Sequence, residues 1–140
     1  MRYPLSGLFL STLLLTIPAA AETGYSAWLR YAPIEDDIIR RRYDAMPASV
    51  FALGDSASIQ AAQRELILGV RGMLGRTLRA EVRPTNESTI ILGTLGSVKE
   101  AEPTLRLAGN LRDDGYLLKR VSLNGHPSIL ITAPNDRGVL

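Results

Sequence analysis

Two stretches of this 140-residue chain limit its fold more than any others: "STIILGT" at 88–94 and "ILI" at 129–131. A strand with one face in water alternates apolar and polar side chains, and these runs do not alternate. Each predicts a strand covered on both sides, inside a sheet rather than at its edge. Such strands demand layers of other elements above and below them, so the chain must supply helices for that purpose.

The clearest helix is predicted over 58–74. Ile59, Ala62, Leu66, Val70, Met73 and Leu74 fall within a stripe about 120° wide at about 100° per residue. Gln63 intrudes on that stripe and Leu68 points away from it. Gly75 is placed to stop the helix, and Asp55 with Ser56 to cap its start. "EDDIIRRRYDAM" puts acids before bases, which suits a helix dipole from about Asp36. A weaker helix is predicted over 97–109, disturbed by Pro103 and ended by Gly109. Further strands are predicted at 26–31 ("SAWLRY") and 49–53 ("SVFAL"). The segment 116–133 reads as a hairpin, with arms at 116–123 and 128–133 around Asn124-Gly125. The element order is strand, helix, strand, helix, strand, helix, two strands. It predicts an α+β fold, a small mixed β-sheet with helices packed on it.

The composition is that of an ordinary globular domain, 46% hydrophobic and 21% charged. A formal net charge of +2 is too small and too dispersed for nucleic acid. With no cysteine and a single histidine, His126, no disulfide and no thiolate or zinc site is in view, and no cofactor is implied. Residues 1–21 read as a cleaved signal peptide. Arg2 precedes an apolar run from Leu8 to Ile17, Pro18 breaks it, and Ala19-Ala20-Ala21 suits a signal peptidase. The run is short for a permanent span of about 30 Å, so no membrane attachment is expected after cleavage. The mature chain would start at residue 22, with 119 residues (140 − 21) and a charge of +1 (+2 − 1 for Arg2), secreted or periplasmic.

Several constellations invite a chemical reading. "FALGDSAS" resembles the opening block of GDSL-type esterases, with Ser56 as nucleophile and "APND" (133–136) as a loose copy of a later block. A serine needs a base and oxyanion donors. His126 precedes "APND" instead of following it, and Leu123 stands where an Asp-x-x-His motif would need aspartate, so capping is the better reading of Asp55 and Ser56. His126 sits at a hairpin turn, where a lone histidine is normally solvated. Glu35, Asp36 and Asp37 are adjacent, whereas a glycosidase needs two carboxylates about 5 to 9.5 Å apart across a sugar. Asp113 and Asp114 before Gly115 suit a turn. Trp28 and Tyr31 would project to opposite faces of one strand, which spoils a sugar-stacking platform and favours Trp28 as core. "NES" at 86–88 matches a glycosylation sequon.

Taken jointly, "GYSAWLRYAPI", "ELILGVRGMLGRTL", "IILGTLGS", "DDGYLLKRVSLNG" and "ILITAPNDRGVL" resemble the N-terminal domain of the alpha-glucuronidases of glycoside hydrolase family 67, in the same order over nearly all of residues 24–140. The resemblance implies an α+β accessory domain like that of beta-hexosaminidases, followed by a catalytic (β/α)8 barrel that is absent here. It implies removal of (4-O-methyl-)glucuronic acid from xylan-derived oligosaccharides, with inversion, by carboxylates on that barrel. No catalytic, cofactor-binding or metal-binding residue carries over to this chain, and the chain alone is expected to be inactive. Its implied partners are the missing barrel of the same polypeptide and, in the whole enzyme, a xylo-oligosaccharide. The closing "NDRGVL", with Asp136 read as an N-cap, is then the start of a helix leading toward the barrel, truncated here. Two other readings compete: a free-standing periplasmic carbohydrate-binding module, and the GDSL-like esterase.

Overall fold

A computed structural model describes residues 31–107 and 111–140. The elements in chain order are α1 (Asp37–Arg41), β1 (Ser49–Leu53), α2 (Ala57–Leu74), β2 (Arg79–Glu81), β3 (Ile90–Thr94), α3 (Leu95–Ala101), β4 (Leu117–Leu123), β5 (His126–Ala133) and α4 (Asp136–Val139). They build one five-stranded sheet in the order β2-β1-β3-β5-β4.

The two uninterrupted apolar strands lie side by side. β3 pairs with β5 in parallel register, Ile90 opposite Ile129 and Leu92 opposite Ile131. β1 runs parallel to β3 on its other side, and β2 parallel to β1. Only β4, the far edge, is antiparallel, paired with β5 through the hairpin. Asn124 (φ 49°) and Gly125 (φ 81°) both take positive φ there, as a two-residue turn matching the strand twist requires.

Alternation sorts the strand residues onto two faces. On one, Val50, Ile90, Leu92 and Ala133 are buried beneath Ile59, Ala62 and Val70 of α2 and Val139 of α4. On the other, Ile91 and Leu130 pack against Val98 of α3, with Leu105, Leu107 and Val121 around them. The strand starts are tied by buried hydroxyls. Ser49 Oγ donates to Thr89 Oγ1 (3.1 Å), and the Thr89 N–H donates to Ser128 Oγ (3.3 Å). Gln63, the polar intruder on the α2 stripe, is buried and donates to the Val50 carbonyl (3.4 Å). Leu68 is 45% exposed, on the outer face as the periodicity predicts.

The mixed sheet with helices over it matches the reading of the sequence. The strands are mostly parallel, which gives the domain more α/β character than a sandwich assembled from hairpins. Among the described residues the sheet is open and does not close into a barrel.

Four local expectations change. The helix assigned to 97–109 starts at Leu95 and ends at Ala101. Thr94 ends β3 as expected and also serves as the helix N-cap, accepting from the Ser97 N–H (3.2 Å), while Pro103 stops the helix early. The last helix is capped by Asn135 and not Asp136; Asn135 Oδ1 accepts from the Gly138 N–H (3.0 Å). β2 had no counterpart in the sequence reading, because three residues carry no periodicity. It is fixed by pairing with β1 and by ion pairs of Arg79 with Glu81 and Glu87. Tyr31 has no regular structure; the rest of the strand assigned to 26–31, Trp28 and the leader at 1–21 lie outside the described residues.

Ser56 caps α2 as expected, accepting from the Ile59 N–H (3.2 Å). Ser56→Ala should therefore cost about 1 kcal/mol of stability, read from urea unfolding. Ser56→Asp, which restores an acceptor, should recover most of that loss.

Candidate functional site

α2 carries Gly69 and Gly72 three residues apart, on one side of the helix. Tyr31 lies in the notch they leave. A Cβ on Gly72 would stand 2.6 Å from Tyr31 Cβ and 2.7 Å from the Tyr31 carbonyl oxygen; one on Gly69 would stand 3.0 Å from Tyr31 Cε1. Only glycine admits so close an approach of backbone to helix. The Tyr31 hydroxyl donates to Glu65 Oε2 (3.1 Å), one turn earlier on α2, and the Ile34 N–H donates to the Met73 carbonyl (2.9 Å). Burial first, then the hydrogen bond to Glu65 and its negative charge, push the Tyr31 phenol above its ordinary value of 10.0.

Beside this strap an open groove of about 530 Å³ runs between α2, α4 and the β4–β5 hairpin. Tyr31, Leu66, Met73, Tyr116, Ile131 and Leu140 line most of it. Its walls are mainly apolar, and Glu65 is the sole carboxylate among the described residues that line it. One carboxylate already bonded to a phenol is no acid–base pair. Such a surface suits contact with another apolar surface better than bond cleavage. Under α3, on the opposite face of the sheet, a cavity of about 70 Å³ is walled by Leu53, Thr85, Ile91, Val98 and Leu130, with room for a few waters.

The family described as glycosyl hydrolase family 67 N-terminus matches residues 27–140. The chain belongs to this family. An alpha-glucuronidase A from Emericella nidulans is 38% identical over 136 residues, which is 94% of this chain and 15% of that protein. An alpha-glucuronidase from Hypocrea jecorina is 32% identical over 139 residues, covering 95% and 16%. A probable alpha-glucuronidase A from Aspergillus oryzae is 31% identical, covering 94% and 16%. The chain thus spans about 15% of the length of the curated relatives it matches.

Within this family 67 domain the tempting catalytic residues do not assemble. Leu53 of β1, Gly93 of β3 and Thr132 of β5 lie level in the sheet. Ser56 follows beyond Leu53, while His126 lies six residues (132 − 126) back along β5. At about 3.3 Å per residue they are at least about 20 Å apart, at opposite ends of the sheet. Asn135 does reach the Ser56 end, but its side chain is committed: the amide donates to the Asp113 carbonyl (2.8 Å) and the oxygen caps α4. The GDSL-like reading fails on this geometry.

The acidic cluster is equally committed. Asp36 caps α1, accepting from Ile38 N–H (2.8 Å) and Ile39 N–H (3.2 Å), Asp37 pairs with Arg40, and Glu35 is exposed. Asp113 and Asp114 form the turn expected of them, and Asn86 is exposed in the β2–β3 loop. Among the described residues no three His, Cys, Asp or Glu side chains gather as a metal site. Sequence reasoning missed the Tyr31–Gly69–Gly72 contact. Its available signal was a pair of glycines inside an otherwise strong helix, where each costs up to about 1 kcal/mol relative to alanine and so points to a packing demand.

Gly72→Ala should lower the melting temperature even though alanine is the better helix former, because the clash with Tyr31 backbone costs about 1–3 kcal/mol. A rise in melting temperature would contradict the notch. The raised Tyr31 pKa sets a pH dependence with a definite sign. The folded state holds the phenolic proton more tightly, so this stabilisation is complete below pH 10.0 and is lost as pH climbs through the folded-state value. Wild type should lose melting temperature more steeply than Tyr31→Phe as the pH is raised above 10.0, and the two should run in parallel below it.

Proposed function

We propose that this chain is the non-catalytic N-terminal domain of an exported alpha-glucuronidase, one that removes (4-O-methyl-)glucuronic acid from xylan-derived oligosaccharides. The observation that carries the reading is the family 67 N-terminus match over residues 27–140, combined with the small share of each relative that the chain covers. The leader-like sequence of residues 1–21 supports export.

The chemistry of the described residues points the same way. An inverting glycosidase holds an acid and a base about 6.5–9.5 Å apart on either side of the sugar. Here Asp36 caps a helix, while Asp37, Glu81 and Glu87 pair with arginines at the surface. Glu65, which lines the groove, receives the Tyr31 hydroxyl. In this reading the catalytic pair and the sugar pocket belong to the remainder of the polypeptide, and the present domain braces that remainder. A relation to the accessory domains of beta-hexosaminidases belongs to the same proposal.

The test is a domain exchange. The matched segment of the Emericella nidulans alpha-glucuronidase A is replaced by this chain. Release of glucuronic acid from glucuronoxylan oligosaccharides is then compared for the hybrid, the segment-deleted protein and the 140-residue chain alone. The hybrid should release sugar at least tenfold faster than the deletion, and the chain alone should release none. Turnover by the chain alone would overturn the proposal.

A further inference from the structure

The helices over the first face of the sheet do not cover it evenly. α2 packs on β1 and β3, and α4 on β3 and β5. β4, the edge strand, pairs Leu118 with Ile131 on this same face. Ile131 is partly buried in the core beside it, while Leu118 is 62% exposed. Tyr116, one residue before the strand, is 68% exposed, and Leu140 after α4 is 62% exposed. Tyr116 and Leu140 line the groove described above together with Leu92 and Ile131, and Leu118 adjoins it as the cross-strand neighbour of Ile131. The other face is closed by contrast: Val121 and Leu123 of β4 are partly buried with α3 and the 105–107 segment.

We infer that the groove between α2, α4 and β5, lined by Tyr116 and Leu140, together with the exposed Leu118 that adjoins it, is where the downstream part of the same polypeptide docks. The inference rests on the function proposed above and assigns a surface to it. Three observations favour this occupant. The family segment is N-terminal, and in the relatives about 85% of the protein (100 − 15) lies outside the matched part, so there is ample chain to dock. Leu140, the last matched residue, itself lines the groove, so polypeptide continuing from it emerges at this surface. The walls are apolar with little charge, which suits an intramolecular contact made once on folding more than a soluble polar ligand.

The test uses the full 140-residue chain. It is coexpressed, carrying an affinity tag, with the Emericella nidulans protein lacking its matched segment, and co-purification is quantified. Wild type should retain the partner, and Leu118→Asp should reduce its recovery at least tenfold. Lys119→Glu, on the opposite face of the same strand, should leave recovery unchanged. Circular dichroism melts of the three chains should agree, since both positions are exposed. On the chain alone, Leu118→Asp should also reduce the fluorescence of a bound hydrophobic dye severalfold. Equal recovery for Leu118→Asp and wild type would overturn the assignment of this surface, and so would no recovery with wild type while the hybrid enzyme is active. A chain that is dimeric until Leu118→Asp is introduced, and that recovers no partner, would make a second copy the occupant and overturn it too. Failure of the functional reading has a separate signature, sugar release by the chain alone.

Discussion

Two-sided burial of β3 and β5 is the constraint from which the rest of the domain follows. Neither strand has a face it can leave in water, so each face of the sheet must be roofed. α2 and α4 roof one face and α3 the other. Each buried branched side chain contributes about 1.5–3 kcal/mol of transfer free energy, and the two strands concentrate several of them in adjacent registers. The parallel pairing of β1, β3 and β5 also decides which residues can ever meet. It sends the ends of all three strands to one side of the sheet and their starts to the other.

That sorting separates function from likeness in this protein. Gly54-Asp55-Ser56 sits past a strand end and His126 at a strand start. No side-chain rearrangement joins them, because the sheet register itself would have to slip. Polar groups at the element junctions cap the helix starts. Asp36, Ser56, Thr94 and Asn135 each accept from a free N–H at a helix start. Each such cap is worth about 1 kcal/mol, a substantial share of the stability of a small domain. The domain is rich in capping chemistry, and its open groove is lined mainly by apolar side chains.

Much of this was legible in the sequence where the signal is local. The runs "IIL" and "ILI" announced the central strands, the Ile59–Val70 stripe announced α2, and Asn124-Gly125 announced the hairpin turn. What escaped was set by distant partners. β2 exists because Arg79–Glu81 finds an edge of β1 beside it, and nothing in three such residues says so. Asn135 and Asp136 are neighbouring capping residues of similar propensity. The choice between them follows from the Asp113 carbonyl, 22 residues away, which takes the Asn135 amide. The groove was invisible for the same reason, since α2, the start of β4, β5 and the stretch beyond α4 each supply only part of it. The family resemblance, by contrast, was readable directly, because it rests on the order of short motifs and not on any contact.

The notch that seats Tyr31 ties three separate positions into one unit. A bulkier residue at 69 or 72 has room only if residue 31 shrinks or its backbone moves away. A smaller residue at 31 would leave a hollow against the helix and the Glu65 carboxylate without its phenol. Substitutions at these three positions are therefore coupled in their effect on packing. Exchanging the whole trio for a differently shaped lock and key can keep the fit, whereas changing one member alone loosens the seat of Tyr31 against α2.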